Sequence, residues 1–223
     1  MQGRQYYFGG QFGVGYKITP NFNVSVGGRV IYAQCNYYGY VRNISVDVVT
    51  PAGTINMPAT TLFENKNMPD FASLVTDKEL NCDQSGWGFT PIISADWKIG
   101  KVNLAAKYEF KTRLRLKNQT GVNTSGLSEY DDAKKVKADI PAILALGVRY
   151  EVLPSVRLHG GFHYYFDKQA TQHENRHNYL KNGGWEVLAG AEVDVAKRWT
   201  VSAGWQTTNY GLGKDSKFIS DMS

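Results

Sequence analysis

The sequence has no apolar run approaching the roughly 18 residues that a membrane-spanning helix needs. That excludes a helical membrane protein but not one built of strands. A barrel strand shows lipid only every second residue, so its mean hydropathy stays low. Cysteine is scarce: Cys35 and Cys82 stand alone, outside any CxxC or Cys/His pattern, and no metal site is expected. Two separate thiols and a Cys35–Cys82 disulfide are both open readings, each compatible with an exported protein. A strong excess of one charge is missing too. The net charge is +5, with the basic residues interleaved among acids, and no nucleic-acid-binding motif accompanies them. There is no G-x-S-x-G, H-E-x-x-H or P-loop, and the serines have no obvious His/Asp partners. The chain is therefore not read as an enzyme, and no cofactor is implied. Residues 1–20 lack a basic segment followed by an apolar one and are not a signal peptide.

What the chain does have is glycine (23), tyrosine (14), phenylalanine (10) and tryptophan (5), at a mean hydropathy of −0.38. Many aromatics at low hydropathy fit half-exposed strands. Alternation with period two recurs about eight times. Over residues 102–116, Val102, Leu104, Ala106, Tyr108, Phe110, Thr112, Leu114 and Leu116 fall on one face, and Asn103, Ala105, Lys107, Glu109, Lys111, Arg113 and Arg115 on the other. Successive side chains of a strand point to opposite faces, so this is one apolar wall and one charged wall. Residues 156–167, 185–195 and 6–18 repeat the arrangement. Weaker versions lie at 22–45, 87–98, 140–152 and 199–209.

Short turns at Thr19-Pro20-Asn21, Ile99-Gly100-Lys101, Leu153-Pro154-Ser155 and Ala196-Lys197-Arg198 alternate with long segments at about 46–85, 119–138 and 168–183. An up-and-down outer-membrane barrel has this asymmetry, with tight periplasmic turns and long extracellular loops. The aromatics Tyr6, Tyr16, Trp87, Trp97, Phe166, Trp185 and Trp199 sit near strand ends, where an interfacial girdle belongs. The expected fold is all-β: an antiparallel, up-and-down transmembrane barrel occupying residues 1–223 as one domain. Open sheet edges are excluded in lipid. The charge assigned to the interior asks for a wide, wet lumen, so the eight strands are expected to be part of a larger barrel. Residues 210–223 read as a loop leading toward a further strand, and no terminal aromatic closes the chain.

Three stretches resemble a known family, the FadL-like outer-membrane transport proteins for long-chain fatty acids and aromatic hydrocarbons. Residues 86–118 carry Gly86-Trp87-Gly88-Phe89, Asp96-Trp97-Lys98 and Lys107-Tyr108-Glu109-Phe110-Lys111. Residues 139–168 carry Asp139, Pro141, Gly147, Tyr150, Pro154 and Leu158 at the spacing of a family hairpin, and residues 184–210 look like the next hairpin. The resemblance implies a fourteen-stranded barrel with an N-terminal hatch. It also implies sideways release of ligand where one strand is kinked. The hatch has no counterpart here. Pro91, which cannot donate to the ladder, is read either as such a kink or as a tolerated bulge.

The resulting expectation is a channel for passive uptake of hydrophobic small molecules in the bacterial outer membrane, with membrane lipid and lipopolysaccharide as its surroundings. A haem-binding receptor using the four histidines and a structural or adhesive barrel acting through its loops are the alternatives. Candidate ligand-binding residues facing the lumen are Lys107, Lys111, Arg113, Arg149, Arg157, His159 and His163, with Arg115 and Lys117 extending the basic row. A low-dielectric cavity lined this way draws a carboxylate. The competing reading pairs these cations with Glu109, Glu151, Glu186, Glu192 and Asp194.

Overall fold

The computed structural model describes residues 2–213, so most of the expected terminal loop lies outside the described residues. Twelve strands and two short helices follow one another as β1 (Gln2–Thr19), β2 (Phe22–Val41), β3 (Ser45–Thr50), β4 (Gly53–Pro58), α1 (Ala59–Asn65), α2 (Pro69–Leu74), β5 (Lys78–Ile99), β6 (Val102–Glu109), β7 (Arg115–Asn123), β8 (Lys135–Lys137), β9 (Ile143–Leu153), β10 (Val156–Tyr165), β11 (Trp185–Ala196) and β12 (Trp199–Asn209). Eight strands lie side by side in the order β1-β2-β5-β6-β9-β10-β11-β12, while β7 pairs with β5 and β8. Among the described residues, no helix is long and apolar enough to cross a membrane.

Two compact units divide the chain. The first holds the residues up to Tyr6, Ala33–Ser85 and Lys117–Val136. Its β3–β4 hairpin pairs Ser45 with Pro58 through Thr50 with Gly53, where Gly53 takes a positive φ that favours glycine. Phe63 of α1 stacks on Phe71 of α2. Ala33, Cys35, Leu80 and Cys82 are buried, and both cysteines are thiols rather than a disulfide. The buried side chain of Asn118 accepts a bond from Gln84 and donates to the Glu129 and Asp131 carbonyls, which pins that loop.

The second unit holds Tyr7–Tyr32, Gly86–Leu116 and the residues from Lys137 on. Its strands are joined by the four expected short turns, and Gly100 turns with φ +56. In β9 to β12 the register sets Arg157 opposite Glu192, His163 opposite Glu186 and His159 opposite Arg149. All charged groups of these strands therefore share one face. The other face carries Leu146, Val148, Leu158, Val193, Val201 and Trp205, all exposed. Of the expected girdle, Tyr16, Trp87, Trp97 and Trp199 are at least half exposed. A contiguous apolar face of this extent is unstable in water. Lipid satisfies it, and the fold is an all-β sheet of the transmembrane-barrel class.

Three expectations for the strands need correction. Residues 78–85, expected within the long connection 46–85, form the first part of β5, and residues 46–77 of that connection hold most of β3 and all of β4, α1 and α2. Residues 119–138 similarly contain most of β7 and all of β8. Most consequentially, the strand expected over 102–116 breaks after Glu109. Glu109 faces Ile92, but two residues back along β5 the Thr90 hydroxyl meets Thr112, three residues onward. One extra residue has entered, and a one-residue slip turns every later side chain to the opposite face. Thr112, Leu114 and Leu116 are now buried, while Arg113 and Arg115 share the face of Trp87 and Phe89. The adjoining segment keeps pace, since Ile143 faces Glu109 and Ile140 faces Thr112. Prolines lie on both flanks. Pro91 has no N–H to give, yet its carbonyl accepts from Phe110 N–H at 3.0 Å; Pro141 interrupts the other side. Pro91 thus marks a bulge in the ladder.

Candidate functional site

The polar face of the second unit gathers most of the residues singled out from the sequence, in three groups. Near the short-turn end, Arg157 on β10 donates from Nε to Glu192 (2.9 Å) and from both terminal nitrogens to Asp194 (2.7 and 2.5 Å). Thr200 donates to the same Asp194 carboxylate at 2.8 Å, and His159 Nε2 lies 3.3 Å from Glu192, off the line of a hydrogen bond. Arg149 approaches Glu151 at 3.6 Å. Strand pairing explains the grouping: opposite residues of an antiparallel pair lie close enough for short ion pairs.

Toward the long-connection end, Glu186 on β11 gathers His163 Nδ1 (3.1 Å), the Tyr165 hydroxyl (3.1 Å) and the Thr208 hydroxyl (3.3 Å). The third group centres on Glu109, which is 5% exposed. Arg29 of β2 grips it with two bonds of 2.9 and 3.1 Å and also donates to Gln11, while Lys107 stands 2.8 Å away. Sequence reasoning missed Arg29, because the alternation of 22–45 is weak; Gln11 falls on the polar face of 6–18 but was not singled out. For Arg29 the only signal was one long cation in a glycine-rich stretch.

A depression separates the two histidines. Gly147, Gly161, Gly190 and Gly204 floor it, with His159 and His163 beside them. At Gly147 a Cβ would find its nearest neighbour 3.9 Å away, so packing alone does not demand the glycine.

Lys111 and Arg113 do not join this face as expected. Lys111 sits at the slip, bonded to the Gln169 carbonyl (2.9 Å) and 3.6 Å from Asp139. Arg113 lies on the opposite face and has no ion-pair partner among the described residues. Arg115 pairs there with Asp139 at 2.5 Å, and Asp139 also accepts from Leu114 N–H at 3.1 Å. Burial pushes the Asp139 carboxyl up. The hydrogen bonds from Arg115 and Leu114, with the charges of Arg115 and Lys111, outweigh that effect and hold it below the ordinary carboxylate value. The companion residue Lys117, in the first unit, is exposed.

Chemically, the polar face is a wall of cations neutralised by carboxylates beside them. Among the described residues no serine hydroxyl is hydrogen-bonded to a histidine, and no group of three His, Cys, Asp or Glu residues is arranged to hold a metal ion. The His173 side chain lies outside the described residues; His177 accepts from Gln172 N–H.

No family model matches the chain, and no curated protein matches it. Solved structures do. The toluene transporter TbuX of Ralstonia pickettii matches with a TM-score of 0.60 at 12% identity, over 93% of this chain and 56% of that one. A FadL homologue of Pseudomonas aeruginosa matches with a TM-score of 0.61 at 16% identity, over 95% and 51%. The fold is that of these barrels. The toluene transporter TodX of Pseudomonas putida matches as well, with a TM-score of 0.51 at 13% identity over 94% and 56%. The chain spans about half the length of the solved structures it matches.

Proposed function

We propose that this chain is part of the wall of a bacterial outer-membrane channel for passive uptake of hydrophobic small molecules, with long-chain fatty acids or aromatic hydrocarbons as the substrate class. The observation that carries the reading is the segregation of β9 to β12 into a charged face and an exposed apolar face. The likeness to two toluene transporters and a FadL homologue supports it. In this reading the aromatic-bearing long connections capture the molecule, the polar face lines its aqueous route, and no energy input is needed. Lys107, Arg149, Arg157, His159 and His163 form that lining. Because their charges are largely answered by neighbouring carboxylates, they keep the route wet rather than grip a ligand tightly.

The test uses the full-length protein in liposomes. Saturable entry of radiolabelled toluene or palmitate above that of empty liposomes is the expected result. Flux equal to that of empty liposomes for both compounds overturns the reading.

A further inference from the structure

The one-residue slip places cations where a lipid-facing wall ordinarily has none. Beyond Glu109, Arg113 and Arg115 share a face with Trp87 and Phe89, which are 68% and 50% exposed. Ala138 N–H bonds the Leu114 carbonyl, and Thr112 pairs with Ile140 in both directions. Lys137 and Asp139 therefore belong to the same face as Arg115 and Arg113. Four cations, Lys111, Arg113, Arg115 and Lys137, meet one carboxylate, Asp139. That carboxylate is 2% exposed and engaged by Lys111 and Arg115. Arg113 and Lys137 have no ion-pair partner among the described residues.

Such charges are costly in hydrocarbon and cheap at the head-group level. Exposed aromatics beside them are what that level attracts. The patch lies where β6 ends and β9 begins, opposite the four short turns, and so on the long-connection side. In this class of barrel that side faces the cell exterior. The outer leaflet there carries phosphorylated glycolipid. Arginine's planar fork matches phosphate oxygens two at a time.

We infer that Arg113, Arg115 and Lys137, flanked by Trp87 and Phe89, form a docking site on the outward face for the phosphates of an outer-leaflet glycolipid head group. The inference rests on the outer-membrane reading above. It adds a specific lipid contact at a place that takes no part in the channel lining.

The experiment titrates the full-length protein in detergent with bisphosphorylated lipid A and with its dephosphorylated form, following bound lipid by native mass spectrometry. The phosphorylated lipid should bind more tightly, and added salt should weaken it. The double variant Arg113→Gln/Lys137→Gln, which breaks no described ion pair, should lose roughly 30-fold in affinity. Equal binding of the two lipids by the native protein, or unchanged affinity in the double variant, overturns the site. The comparison between lipids needs no variant and stands even if the variant fails to fold. Insertion into phosphatidylcholine vesicles, read as heat-modifiable migration, is measured alongside. A protein that does not insert sinks the membrane reading itself; one that inserts but ignores the phosphates sinks only the docking site.

Discussion

Arg157 and Arg113 are both strand arginines of the second unit, and the sequence treats them alike. Arg157 is held by Glu192 and Asp194 on the polar face, and its side chain is 14% exposed. Arg113, across the slip, has no ion-pair partner among the described residues and lies with Trp87 and Phe89. The difference teaches that a cation's role here is set by strand register more than by residue type. Where partner strands supply carboxylates, the cation becomes part of a neutralised wall. Where the register has slipped, it faces outward with its charge available.

The comparison breaks first if the slip is removed. Deleting Lys111 takes out the extra residue: against β5 the chain then runs from Glu109 to Thr112 without a bulge and residues 112–116 keep their faces, but against residues 140–143 it falls one residue short, so that seam and the Asp139 contacts come apart. Loss of the folded, heat-modifiable band is expected; retention of it shows that the slip is incidental. Next in size is Asp139→Asn, which leaves Arg115 and Lys111 without their buried counter-ion. About 3 kcal/mol of unfolding free energy should be lost in a urea titration. The same variant tests pH dependence. The Asp139 value is lowered on folding, so its contribution is present above the ordinary carboxyl value of roughly 4 and disappears as pH falls through the lowered value. The native protein should therefore weaken in acid more steeply than the variant.

Glu109→Gln comes third. It strips Arg29 and Lys107 of their shared acceptor charge and should cost about 2 kcal/mol in the same titration. Pro91→Ala is the smallest change. It restores a donor beside a ladder already bulged, and the effect should stay within about 1 kcal/mol. A larger stabilisation would mean that the proline, rather than the extra residue opposite it, causes the break.

The strands at 185–196 and 156–165 were legible almost to the residue, because charged or polar residues recur there opposite aliphatic or aromatic ones; 199–209 was legible on weaker contrast, with Thr200, Ser202 and Gln206 set against Trp199, Val201 and Trp205 and no charge at all. The pairs Arg157–Glu192 and His163–Glu186 were half legible. Their shared polarity shows in the sequence, but pairing needs a register that only partner strands define. The slip was invisible for a physical reason: Lys111, Arg113 and Arg115 continue the odd-numbered charge pattern, so the sequence alternates straight through the place where the backbone does not. Its only trace lies on neighbouring strands, in Pro91 and Pro141. The first half of β5 was lost among polar residues, since Cys82 and Gln84 fill buried positions where apolar side chains were sought.

The four tight turns also have a kinetic meaning. Each closes a hairpin whose two strands are adjacent in sequence, and such contacts form in microseconds at little loop-closure cost. The pairings of β2 with β5, β6 with β9 and β10 with β11 each wait on a long connection. Assembly by preformed hairpins, joined later along those three seams, is the order of events this chain connectivity favours.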